Sequence, residues 1–182
     1  MIEITLGFIL GIIASFFAWL IVSRFIIPSL IFFPNIYKEI SDENPSGYRY
    51  LIRFKNKGSR NIIDLELIAK LRIKGLYEHK KSAWKAIYIP IDDNRIPTIG
   101  IQKKYKRTVV QLCISKITDE AKASLPENLQ IKVETGKITL EELLNLGVET
   151  NLQLFIFGYD SFSGSRKLFE SKLFTVNDII KE

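Results

Sequence analysis

Residues 62–73 read IIDLELIAKLRI. Ile63, Leu65, Leu67, Ala69, Leu71 and Ile73 occupy alternate positions, with Asp64, Glu66, Lys70 and Arg72 among the residues between them. Successive strand side chains point to opposite faces, so this run predicts a strand with one apolar and one wet face. Just upstream, GYRYLIRFKN at 47–56 alternates too, Tyr48, Tyr50, Ile52 and Phe54 on one face and Arg49, Leu51, Arg53 and Lys55 on the other. NKGSR at 56–60 has turn chemistry, with Gly58 available for a positive φ. Together the two runs predict an antiparallel hairpin.

Toward the C-terminus, further strands are expected at Trp84–Ile89, Thr108–Ser115 and Leu129–Val133, and PIDDNRIPT at 90–98 predicts a long polar loop. One soluble helix is expected at Thr139–Leu146: Thr139 caps it, Glu142 completes a capping box and Gly147 supplies a left-handed stop. Leu152–Tyr159 and Lys167–Thr175 predict a closing hairpin across DSFSGSR at 160–166. About seven strands at short spacing, with one short helix, predict a mainly β, antiparallel, immunoglobulin-like sandwich.

The N-terminal part obeys a different pattern. Ile4–Ser23, ITLGFILGIIASFFAWLIVS, is twenty residues without a charge between Glu3 and Arg24, and twelve of them are Leu, Ile, Val or Phe. A helix of that length rises about 30 Å, the thickness of a bilayer's hydrocarbon core. The absence of a polar face argues against a buried helix of a soluble fold. A Met-Ile-Glu start and bulky Phe25 and Ile26 after Arg24 do not suit a cleaved signal peptide, so a retained transmembrane anchor is expected.

Glu3 precedes the span, while Arg24 and Lys38 follow it, so the positive-inside bias predicts a single-pass protein of the inner (cell) membrane with its C-terminal domain cytoplasmic. A lone cysteine, Cys113, fits a reducing compartment. Within the span Gly7, Gly11 and Ser15 recur every four residues and share one helix face, where a second copy's backbone can approach and a homo-oligomer can form. Trp19 lies near the end of the span, where an indole settles at the interface. Pro28 is expected to end or kink the helix, with Ser29–Phe33 an interfacial turn into the domain or, alternatively, its leading strand. The expected organisation is an anchor over 1–27, a juxtamembrane connector over 28–46 with the turn DENPSG at 42–47, and the sandwich over 47–182.

The net charge of +6 falls beyond the first 37 residues, which hold only Glu3 and Arg24, and lacks the concentrated stripe of a nucleic-acid reader, so no nucleic-acid partner is expected. Lys103, Lys104, Tyr105, Lys106 and Arg107 make one dense basic patch, suited to lipid headgroups or to an acidic partner. Chemistry is sparsely signalled. His79, in YEHKK, has neither a second histidine nor a nearby cysteine to complete a metal site. Cys113, inside TVVQLCIS, reads as a small buried hydrophobe. The neighbouring carboxylates Asp92–Asp93, Asp119–Glu120 and Glu141–Glu142 diverge on a strand or a helix, and the glycines carry no phosphate-loop or dinucleotide spacing. No catalytic residue, metal or cofactor is expected. A hydrolase would require Cys113 and His79 to meet in space.

The segments GYRYLIRFKNKGSRNIIDLELIAKLRI and LQLFIFGYDSFSGSRKLFESKLFTVNDII resemble the immunoglobulin-like cytoplasmic domain of inward-rectifier potassium channels, through Phe54, Asn56, Arg60 and Ile63, then Gly158, Asp160 and the Asp178–Ile179 pair. The resemblance implies a sandwich on the cytoplasmic side, led by a membrane helix and inclined to assemble. It implies no channel, because a second helix and a Thr-x-Gly-Tyr-Gly filter are absent from the sequence. The chain is also similar to small bacterial membrane proteins with one N-terminal helix and a β-rich domain. A protein-binding or assembly module with a still unspecified protein partner is the expected function, and the alternative is a homo-oligomeric membrane effector or pore gated by its soluble domain.

Overall fold

Alternating strands bury one face each, and the computed structural model, which describes residues 2–22, 28–77, 81–101 and 106–182, stacks those faces in two sheets. In chain order its elements are helix α1 (Ile2–Ile21) and strands β1 (Leu30–Ile40), β2 (Tyr48–Asn56), β3 (Ile62–Lys74), β4 (Trp84–Ile89), β5 (Arg95–Ile99) and β6 (Thr108–Leu112). Short helices α2 (Asp119–Lys122), α3 (Glu127–Glu134) and α4 (Leu140–Leu144) follow, then strands β7 (Glu149–Asp160), β8 (Arg166–Glu170) and β9 (Ile179–Lys181). One sheet has the order β6-β2-β1-β9 and the other β4-β3-β7-β8, with β5 continuing the β4 edge along the first half of β3. Pairing is antiparallel except between β1 and β9. The fold class is the one the alternation predicts: mainly β, two antiparallel sheets, an apolar helix in front.

Ile36, Tyr50, Ile52 and Phe54 of the first sheet and Leu65, Leu67, Leu71, Leu152, Leu154 and Ile156 of the second are all buried in the core. The short helices cover one end of it. There Leu129 and Val133, one helical turn apart, and Leu140, Leu143 and Leu144 are buried as well.

Several expectations are corrected. β2 and β3 do not form a hairpin: they lie in different sheets, and residues 57–61 carry the chain across the core between them. The apolar face of each is buried against the opposite sheet, as the inner faces of a sandwich are, and this holds whichever strand lies beside it. Gly58 does not take a positive φ; the turn closes instead because the Asn56 side-chain oxygen accepts the Gly58 amide at 2.9 Å and the Ser29 carbonyl accepts the Lys57 amide at 2.8 Å. Residues 30–33 form a strand, not an interfacial turn, and Pro34 sits in a bulge of β1 where β9 does not yet flank it, so its missing donor is tolerated.

Leu129–Val133 is helical, since only the four-residue spacing of Leu129 and Val133 reaches the core while Ile131 points outward. The loop expected at 90–98 contains the start of β5. The single expected helix is joined by α2 and α3, whereas α4 has the anticipated Thr139–Glu142 capping box and Gly147 a φ of +64°. Finally, Ile63 is 37% exposed and Ile62 fully buried, because β3 carries a bulge at Asp64 that shifts its first turn to the other face.

Candidate functional site

α1 is long and apolar enough to cross a bilayer, and its window Ile4–Ile21 has no residue buried within the chain. Gly7, Gly11 and Ser15 share one side of it, and nothing lies within 4 Å of where a Cβ would stand on either glycine. Lys103, Lys104 and Tyr105 of the basic patch, like His79, lie outside the described residues. Lys106 and Arg107 are exposed just before β6.

The strand registers show what Lys106 and Arg107 accompany. Leu30 pairs with Asn56, Phe54 with Thr108, Ile62 with both Asp160 and Ile99, and Tyr159 with Arg166. One end of the sandwich therefore gathers the start of β1, the 57–61 crossing, the segment before β6 and the 161–165 turn. Lys55, Lys57, Arg60, Lys106, Arg107, Arg166 and Lys167 stand on these pieces of chain, and Asp160 is the one carboxylate among residues 55–61, 106–108 and 160–167. The opposite end is built differently: residues 114–149 hold seven carboxylates against four lysines.

The basic end has a defined architecture. Asp160 is buried; its Oδ2 accepts from Arg60 Nη1 at 3.1 Å and from Ser163 Oγ at 2.8 Å, and its Oδ1 accepts from the Phe162 amide at 3.1 Å. Burial alone raises its pKa, but the donors from Ser163, Phe162 and Arg60 outweigh this and hold the carboxyl below its usual range. Phe162, at the turn, is 80% exposed, with the Arg60 guanidinium 4.2 Å from its ring centre. Arg107 and Lys55 both approach the ring of Phe33, at 5.2 and 6.0 Å. Sequence reasoning located Lys106 and Arg107 but not their sharing one end of the sandwich with Lys55, Lys57 and Phe162, because only the sheet register brings these turns to one end.

A second cluster lies near the helices. Lys38, 9% exposed, reaches Glu141 Oε1 at 2.5 Å and stands 3.9 Å from the Tyr48 ring centre. The other Glu141 oxygen accepts from the Tyr50 hydroxyl. Burial works to raise the Glu141 pKa, yet the hydrogen bonds from Lys38 and Tyr50 hold it below the usual carboxylate range; Tyr50, desolvated and bonded to a carboxylate, is pushed upward. Every charge here has its partner, which describes a clasp between the first sheet and α4.

Cys113 is buried, with Sγ 3.9 Å from Asp92 Oδ1, beside a cleft of about 70 Å³ that Tyr48, Tyr50 and Lys116 also line. Burial and the neighbouring carboxylate both push its thiol pKa up, opposite to what a nucleophilic thiolate needs. Glu141 and Glu142 diverge as expected, Glu141 to Lys38 and Glu142 to Lys132 and the Thr139 amide. Among the described residues no group of His, Cys, Asp and Glu is placed to hold a metal ion.

No protein-family model matches this chain, and no curated protein matches it either. The residues that carry the inward-rectifier resemblance have structural work of their own: Asn56, Arg60, Gly158 and Asp160 fasten the basic end, and Ile179 pairs with Ile36.

Proposed function

We propose that this chain is a single-pass membrane-anchored protein whose sandwich, held on the cytoplasmic side, is a protein-binding or assembly module. The observation that carries this is α1 itself. Phe8 is 70% and Trp19 64% exposed on a helix with no polar face, and such a surface is covered in water only by other apolar surface or by lipid. The chain then passes into a well-packed sandwich in which the Lys38–Glu141 and Arg60–Asp160 pairs fasten neighbouring elements, an arrangement suited to holding a surface in shape.

The homo-oligomeric membrane effector is the second reading, favoured by the open face of Gly7, Gly11 and Ser15. The two are separated by the assembly state of the full chain in lipid nanodiscs, native against Gly7→Leu/Gly11→Leu, together with ion flux across liposomes. A discrete assembly lost in the double variant, with flux in the native chain, favours the effector. Membrane retention with the same assembly state in both, and no flux, favours the anchored module.

A further inference from the structure

We infer that the basic end of the sandwich docks on anionic lipid headgroups, with Phe162 as its apolar contact. The inference rests on the anchored reading and adds the surface and its ligand. Six residue steps separate Val22, beyond α1, from Pro28, before β1, so the two lie within about 20 Å of each other however the intervening chain runs. A helix crossing the bilayer thus holds the β1 end of the sandwich close to the headgroups. That is the end carrying Lys55, Lys57, Arg60, Lys106 and Arg107.

Charge complementarity selects the occupant. Lys55, Lys57 and Lys106 have no ion-pair partner among the described residues, so their charge is available outward, and the sole carboxylate in these turns, Asp160, is buried and turned in on Arg60 and the turn's own donors. Asp64 and Glu66, further along β3, line a recess together with Arg95 and Arg166. Anionic leaflets attract clustered Lys and Arg within a Debye length, and the short tether lets the cluster come inside that range. Phe162 fits the same partner: its turn is fixed by the Asp160 hydrogen bonds, its ring is 80% exposed, and Ile101, 59% exposed, follows β5 at the same end. An exposed Phe beside Lys and Arg can bury its ring at the headgroup–acyl boundary while the cations stay with the headgroups.

The test uses the full chain with Cys113→Ala and Phe162→Cys, labelled at position 162 with an environment-sensitive fluorophore, in nanodiscs of phosphatidylcholine alone or with phosphatidylglycerol. The expected result is blue-shifted emission, quenched by spin-labelled lipid, in the anionic discs. Both signals should be lost in phosphatidylcholine and in the Lys55→Glu/Lys57→Glu/Lys106→Glu variant, whose circular dichroism matches the parent. Water-like emission in both lipids, with the chain incorporated, overturns the docking and leaves this end to an acidic protein. Equal blue shifts in both lipids overturn the role of charge. Failure of the chain to enter the discs at all contradicts the anchor instead.

Discussion

Gly158 faces Asp64 and Leu65 together across the β3–β7 pairing: Ile63 pairs with Tyr159 and Glu66 with Phe157, which leaves one residue opposite two. Asp64 takes φ +49°, and a Cβ on Gly158 would stand 2.6 Å from Ile62 Cγ2. The extra residue turns Ile62 into the core and Ile63 outward, and only a residue without a side chain fits opposite it. Gly158→Ala should therefore cost about 1–3 kcal/mol by overpacking. Asp64→Val should lose about 1–2 kcal/mol for a branched side chain in the left-handed region, while Asp64→Gly should lose none. Urea unfolding of the three variants checks the ranking.

Removing one partner of the Lys38–Glu141 pair strands a buried charge. Glu141→Ala is expected to destabilise by about 3 kcal/mol, near the lower end for buried pairs because Glu141 stays 28% exposed. Replacing the whole clasp, Lys38→Met/Tyr50→Phe/Glu141→Leu, should return stability to within about 1–2 kcal/mol of the parent, as apolar replacements of buried pairs do. Equilibrium denaturation of the single and triple variants distinguishes a stranded charge from lost packing.

Acid should unfold the sandwich in a defined direction. Glu141 and Asp160 have folded pKa values below their unfolded ones, so each contributes stability that is complete above the unfolded carboxylate pKa. That contribution is lost as pH falls through the unfolded value, about 4, and on toward the lower folded value. Urea midpoints should be flat in this respect from pH 7 to about 5 and fall below that. Asp160→Asn should be less stable at pH 7 and lose less on acidification.

The start of α4 offers a local control. Thr139 Oγ1 accepts the Glu142 amide at 3.4 Å while Glu142 Oε2 accepts the Thr139 amide at 3.0 Å. Thr139→Ala should cost about 1 kcal/mol and Thr139→Asp much less, since aspartate caps as well as threonine does. Thermal unfolding of both variants measures the difference.

What could be read in the chain depended on whether a signal was local. The alternation at 48–56 and 65–73, the Thr139–Glu142 box and the apolar run at 4–23 are each contained in a few neighbouring residues, and each formed as expected within the described chain. The partner of β2 was not local: its apolar face fits a neighbour beside it or opposite it, and only the packing of both sheets decides. Ile63 shows the same limit at one residue, since the bulge at Asp64 is fixed by Gly158, nearly a hundred positions away. Lys106 and Arg107 were legible as a charge run, whereas their place at one end with Lys55, Lys57 and Phe162 follows from strand register alone.

Anchoring by α1 is the claim on which the rest stands, and alkaline carbonate extraction of membranes containing the full chain tests it directly, native against Ile9→Lys/Ile13→Lys. Each lysine near the centre of a span opposes insertion by about 2.5–3.5 kcal/mol. The native chain should remain in the membrane pellet, and the double variant should be released with the circular dichroism of a folded sandwich. Release of the native chain under the same conditions would contradict a membrane-spanning α1.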